Sequence, residues 1–423
     1  MWLLLAMLLI MPYETNPHFY LASNLLGVFP DFTVIKALGL LGFGWAALRM
    51  AAGDPAARLL NARPARLFLV FLGAVAVVAV AHGTGFQYSI SRFLGFLIFL
   101  PFVVVAVRSE DDLRRVLQVL VLSYALILPY GVRQMIRFGD RFGVGLYEPN
   151  YLATIIVLLV PLAFVMASQQ RLSQRRMLWY AVGIVLVMEV FLSSSRGGFM
   201  GLLTAGMIFV YRRRGFGSAL AIVAVLLAVL LVVPSDLGSR AMATIFQDSD
   251  SLPAGLQQSN RAHVALFWAA IRMIADNPLV GVGPLNFKEL STLYTGLDQG
   301  NIAHNSFLEI AAEFGLPALA IFLLLVTSAV TTLERASHLG GSVEGRELAG
   351  WAEGLRAGLI GFLVAGFFIS AQYEKVLWLA VFLSVVVGAL AVRRRRLDAM
   401  EGEAEASEPA GPGDLTPLPE PAS

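Results

Sequence analysis

A chain of 423 residues with 57% hydrophobic and only 14% charged side chains falls well short of the about 25% charge of a soluble globule. Its net charge of +2 carries no nucleic-acid signal, because the arginines stand in short runs between apolar blocks. The absence of cysteine excludes disulfides and thiolate metal sites.

The apolar blocks have the length that crosses a hydrocarbon core of about 30 Å as helix. The sequence therefore predicts an all-α polytopic membrane protein with about 12 transmembrane helices and one long non-cytoplasmic loop. Spans are expected near 2–12, 33–51, 67–82, 91–107, 116–131, 151–167, 178–193, 197–211, 217–234, 305–330, 355–370 and 376–392. The opening MWLLLAMLLIMPYE has neither a basic n-region nor an A-x-A-like cleavage site, and reads as a short first span. RLSQRR at 171–176, YRRRG at 211–215 and RRRR at 393–396 mark the cytoplasmic side. Alternation from those anchors puts both termini inside. On the other face fall VRQMIRFGDRFGVGLYEPN (132–150), the break SSSRGG (193–198) and the long loop 235–304. Arg133, Arg137, Arg141, Arg196, Arg240, Arg261 and Arg272 lie there against the positive-inside trend. Residues 1–396 form the membrane domain. The tail 397–423 is acidic and rich in Pro, Gly, Ala and Glu, and is expected to be disordered in the cytoplasm.

Within the long loop, AHVALFWAAIRMIADNP (262–278) predicts an interfacial helix near 262–277, with Trp268 and Arg272 at its membrane edge and Pro278 as its stop. GVGPLNF (281–287) reads as a tight turn. It lacks the third glycine and the preceding strand of a dinucleotide fingerprint. DSD at 248–250 has the look of a metal-holding pair, but Asp is common in loops and no metal site is expected.

The loop ends in NIAHNSFLEIAAEFG (301–315). Ser306 with Glu309 has the spacing of a capping box, which starts a helix at Ser306. His304 and Asn305 then precede a helix N-terminus, where free N–H groups and the positive end of the macrodipole suit an anion. Glu309 and Glu313 share a face one to two turns in, where carboxylates near hydrocarbon need partners. An imidazole, carboxylates and arginines on one side form the inventory of a group transferase, with His as general base and Arg gripping phosphate. The plain alternative stays open: His304 bonding a helix end, Arg196 snorkelling, Arg261 a solvated loop charge. Gly197 and Gly201 form a G-x-x-x-G suited to helix packing.

Three stretches resemble the O-antigen ligase/polymerase superfamily, which includes O-antigen ligases, O-antigen and exopolysaccharide polymerases and bacterial O-oligosaccharyltransferases. They are EPNYLATIIVLLVPLA (148–163), SSSRGGFMGLLTA (193–205), and the run from NRAHVALFWAAIRMIADNPLVGVGPLNF to HNSFLEIAAEFGLPALAIF. The resemblance implies a glycosyltransferase-C-like fold and an enzyme working without metal or cofactor. Its donor would be a glycan on undecaprenyl diphosphate. The acceptor would be a glycan, lipid A core or protein, with membrane lipid and polysaccharide export or chain-length proteins as further partners. It places the chain in the bacterial inner membrane with a periplasmic active face, which would make the long loop periplasmic. His304 matches the catalytic histidine, Arg196 and Arg261 match diphosphate-binding arginines, and Asn150 and Asn305 match positions of supporting role, with Glu309 and Glu313 as further support. In many members the arginine lies closer to the following aromatic than Arg261, which precedes Phe267 by six residues. Arg240 is the reserve for that role. Polymerase is favoured slightly over ligase. A flippase for lipid-linked glycans is the alternative, and would be expected to carry charges deep in several spans, where this sequence has mainly Glu189.

Overall fold

The computed structural model describes residues 1–25, 29–83, 86–138, 141–143, 148–232, 254–340 and 342–407. Its regular structure is helical apart from one antiparallel ribbon, Tyr20–Leu25 with Phe29–Thr33, which lies in the connection after the first apolar block. The helices are α1 (Trp2–Ile10), α2 (Val34–Ala51), α3 (Arg63–His82), α4 (Phe86–Ala106), α5 (Glu110–Ala125), α6 (Leu128–Phe138), α7 (Pro149–Gln169) and α8 (Ser173–Leu192). Then follow α9 (Arg196–Arg214), α10 (Phe216–Val232), α11 (Ala254–Asp276), α12 (Asn286–Thr295), α13 (Ser306–Ser337), α14 (Val343–Ala365) and α15 (Lys375–Ser407).

Among the described residues, seven stretches are long and apolar enough to cross a membrane: Val34–Ala51, Arg63–His82, Glu110–Phe138, Pro149–Gln169, Ser306–Ser337, Val343–Ala365 and Lys375–Met400. Trp2–Tyr13, Gly95–Ala106 and Phe216–Leu230 are shorter apolar helices. The chain is thus an all-α, multi-pass membrane protein. α7 is its axis. An almost uninterrupted apolar sequence lets it be buried on every side from Leu152 to Ala163, and it packs on α8 and α14. α9 closes against α14 through glycines: a Cβ on Gly201 would lie 2.6 Å from the Gly361 carbonyl oxygen. The packing role read for Gly197 and Gly201 is what the fold shows.

Several element boundaries differ from the sequence reading: the helix read at 355–370 begins at Val343, that read at 305–330 runs on to Ser337, and that read at 116–131 is divided between α5 and α6. α11 starts at Ala254, well before 262, because Gln257 to Ala262 contains no breaker. α15 continues beyond Arg396 to Ser407, through Leu, Ala, Met and Glu, which favour helix. Residues 408–423 of the tail lie outside the described residues.

The two ends of the bundle differ chemically. One end gathers the arginines of the expected cytoplasmic clusters into ion pairs. Glu334 meets Arg212 at 3.1 Å and Arg356 at 2.7 Å, Arg213 meets Glu353 at 3.1 Å, and Arg394 meets Glu110 at 3.1 Å. The other end is built largely from helix starts.

Candidate active site

α7, α9 and α13 all begin at that second end. Arg141 ties the first two together: its Nε donates to the Ser193 carbonyl and its guanidinium to Asn150 Oδ1, both at 2.8 Å. Asn150 in turn donates to Glu148 Oε1 at 2.5 Å, and Glu148 caps α7. Burial raises the Glu148 carboxyl above its ordinary range, with Arg141 pulling the other way. The start of α13 joins through α14: the Ser306 N–H donates to the Gly366 carbonyl at 2.8 Å, and the Phe368 side chain lies against Gly197. Three capped helix starts, each with the positive end of its dipole, therefore gather at this end of the bundle.

Arg196 is the first residue of α9. A sharp backbone turn delivers it there, with Ser194 at φ 53° and Ser195 Oγ accepting from the Gly198 N–H at 3.1 Å. The break read in SSSRGG is thus a capped helix start that presents an arginine.

His304 sits in the loop before α13 with φ 49°, a left-handed conformation that a non-glycine residue adopts only when its neighbours hold it. They do. The Ala303 N–H donates to Glu309 Oε2 at 2.9 Å, while Asn305 Oδ1 accepts from the Phe307 and Leu308 N–H groups, each at 3.0 Å. Asn305 is the N-cap, which corrects the expected Ser306–Glu309 capping box. Ser306 is instead bound into the connection after α14, donating to the Ile369 carbonyl and accepting from the Ala371 N–H, both at 2.8 Å. Glu309 accepts from Ser370 Oγ and, at 2.8 Å, from Gln372 Nε2. Glu313 accepts from the Tyr373 hydroxyl at 3.0 Å and from the backbone N–H groups of Leu285 and Phe287. The carboxylates' partners are therefore backbone, hydroxyl and amide groups of three separate segments, and both Glu309 and Glu313 are buried.

The second histidine was not singled out as a site residue from sequence. The His263 ring, on α11, lies 4.5 Å from the His304 ring, centroid to centroid, at 54°. Arg196 is close enough to act on it electrostatically. Burial, then His263, draws the His304 imidazole down from 6.5 to about 4. Burial, then Arg196, lowers that of His263. His304, His263 and Arg196 thus come together from three separate elements. The signal available in the sequence was His263's place one helical turn before Phe267.

Arg261 lies two residues earlier on α11 and is exposed. Residues i and i+2 of a helix point about 200° apart, so Arg261 faces away from the side that carries His263. Arg240 and the DSD of 248–250 lie outside the described residues. Asn150 is on the same end as Arg196, and it acts there by holding Arg141 against the turn that delivers Arg196.

What fixes α11 against α13 is backbone. The turn after Pro278 lies on a break in α13 at Gly315, whose φ is 83°. The Val282 N–H donates to the Ala312 carbonyl at 2.7 Å, the Gly283 N–H to Glu313 at 3.0 Å, and the Leu316 N–H to Pro278 at 2.8 Å. A Cβ on Gly281 would stand 2.4 Å from the Glu313 carbonyl carbon, and one on Gly315 would stand 2.3 Å from the Leu279 carbonyl oxygen. The glycines of the P-L-x-G-x-G turn and the glycine downstream of H-N-x-x-L answer each other across one close contact.

Residues 181–323, which include His304, His263 and Arg196, match the family model Wzy_C, described as O-antigen ligase. The match supports a likeness between this segment and the O-antigen ligase/polymerase superfamily. Asn150 and the first seven helices lie outside the O-antigen ligase match. No curated protein gives a significant match to the chain. The kinship drawn from the histidine and glycine motifs therefore holds where the imidazoles meet. The O-antigen ligase family is one of glycosyltransferase-like enzymes.

Proposed function

We propose that this protein is a membrane glycosyltransferase that moves a glycan from an undecaprenyl-diphosphate-linked donor to an acceptor hydroxyl in surface polysaccharide assembly. The observation that carries the reading is His304, held in a strained loop against His263, on which Arg196 acts in turn, where three helices begin. His304 takes the proton of the acceptor hydroxyl. The oxygen attacks the anomeric carbon, the bond from that carbon to the diphosphate oxygen breaks, and the electron pair leaves with the lipid diphosphate. An imidazole drawn down to about 4 is neutral at physiological pH and free to accept that proton. Arg196 and the helix starts meet the charge that develops on the leaving group, so the scheme runs without metal or cofactor. Asn305 positions His304, and Asn150 with Arg141 positions Arg196.

The arginine-rich end is cytoplasmic by the positive-inside rule, which sets the histidines on the periplasmic face of the bacterial inner membrane with both termini inside. In this arrangement the seven long spans together with α1, α4, α8, α9 and α10 make up about 12 crossings. Polymerase is favoured slightly over ligase. The two share donor, base and arginine, and differ in whether the acceptor is a second glycan or lipid A core.

The test is transfer in proteoliposomes with the lipid-diphosphate-linked repeat unit as sole sugar source. A ladder of lengthening glycans that His304→Ala abolishes supports a polymerase using His304. Product that forms only when lipid A core is added assigns a ligase. Undiminished product from His304→Ala overturns the catalytic assignment.

A further inference from the structure

Under this reading a diphosphate approaches a region in which Arg196 is joined by two imidazoles rather than by a second arginine. His263 and His304 are in ring contact at 4.5 Å, and Arg261 points to the other side of α11. Two imidazoles so close cannot both carry charge cheaply beside a guanidinium. A bound anion reverses that balance. It adds negative charge on the side of Arg196, and the imidazole next to Arg196 is His263.

We propose that His263 is the second cationic contact for the donor's diphosphate, neutral before the donor binds and protonated from solvent when it does. His304 stays neutral for its role as base. The proposal rests on the glycosyl-transfer reading and adds to it a proton-coupled donor-binding step.

The charged and titratable groups around His263 bear on this assignment. α9 contributes Arg196, which acts on His263, and the loop before α13 contributes His304, on which His263 acts and whose ring it touches. α13 contributes Glu309 and Glu313, whose hydrogen bonds run to Ala303, Ser370 and Gln372 and to Tyr373, Leu285 and Phe287. α12 contributes Lys288 and Glu289, both exposed. On α11 itself Arg272 donates to the Tyr294 carbonyl and Asp276 accepts from the Tyr294 hydroxyl. His82, at the end of α3, lies against Gly283 and its Nδ1 pairs with the Val78 carbonyl. The groups that act on the His263 ring electrostatically are thus cationic or imidazole. Before binding, each disfavours its charge, and a diphosphate is the group that would favour it.

Calorimetry of geranyl diphosphate binding to the full-length protein in nanodiscs, in buffers of different ionisation enthalpy, counts the protons taken up. At pH 8 the wild type should take up about one proton per diphosphate, so that affinity weakens about tenfold per unit of rising pH. His263→Gln should lose that uptake and bind weakly at every pH. His263→Arg should lose the uptake yet bind at pH 8 as tightly as the wild type does at low pH. His304→Gln should keep the uptake. Uptake that survives in His263→Gln, or vanishes only in His304→Gln, overturns the assignment while leaving diphosphate binding intact. Failure of the wild type to bind the diphosphate at all would sink both this proposal and the donor reading beneath it.

Discussion

Replacing Glu309 by alanine should unfasten the loop that carries His304. The carboxylate accepts from the Ala303 N–H, Ser370 Oγ and Gln372 Nε2, and so clips the residue before the histidine to the connection between α14 and α15. Hydrogen bonds to a charged group contribute about 1.5–3 kcal/mol each. Because the three share one acceptor group and are not additive, the loss should come to about 3–6 kcal/mol. Glu309→Gln should behave differently. Its carbonyl can serve Ala303 and Ser370 while its NH₂ turns to Gln372, whose own side-chain carbonyl is buried without a partner among the described residues. A flip of the Gln372 amide then restores the third bond, and the net cost is about 1 kcal/mol. Thermal unfolding of the purified protein in detergent, with initial transfer rates in proteoliposomes, separates the two. Alanine should lower both stability and turnover, and glutamine should keep most of each. If the two variants melt together and turn over alike, these three bonds are not what holds the histidine loop.

Three further outcomes follow from the same region. Gly281→Ala, at φ 64° with a Cβ 2.4 Å from the Glu313 backbone, should abolish the folded yield, whereas Gly296→Ala, at φ 69° in open space, should cost only about 1–2 kcal/mol of left-handed strain; equal yields of the two would contradict the close contact. Asn305→Ala should cost about 1 kcal/mol of helix capping and Asn305→Asp should largely preserve it, as read from melting temperatures. Because His304 is drawn down in the folded protein to about 4 from 6.5, its contribution to stability is full above pH 6.5 and is lost as pH falls from there toward 4. The wild type should therefore lose more melting temperature than His304→Gln across that window, and parallel curves would show that His304 is not buried as a neutral ring.

Helix blocks, the break before Arg196 and the histidine at the mouth of α13 were all legible in sequence, because each rests on local pattern. A run of twenty apolar residues has few alternatives, and S-S-S-R-G-G can hardly continue a helix. The cap of α13 was not legible. Asn305 and Ser306 are both good capping residues, and local spacing favours Ser306 with Glu309. What decides is tertiary: residues 366–371 occupy the hydroxyl and backbone of Ser306, and Ala303, Ser370 and Gln372 occupy Glu309. His263 was hidden for a related reason. On α11 it reads as one polar residue in an amphipathic helix, and only the return of the chain after α12 brings His304 to it. Arg261 attracted attention by its charge and its match to a family arginine, whereas the helical phase that sets it on another face from His263 shows once the partner of His263 is known.

The joint between the turn after Pro278 and the break at Gly315 has a consequence for how the chain between them can change. Main-chain contacts on either side of residues 286–302 join the two segments that carry the imidazoles, while Phe287, Leu290 and Tyr294 within that stretch pack on α11. Exchanges at its exposed positions, such as Lys288, Glu289 and Leu293, can alter the surface of that stretch while the joint stays set. The protein thus separates a fixed jaw from an interchangeable lip, and under the glycosyl-transfer reading those exposed positions are where acceptor preference could change with the two histidines left in place.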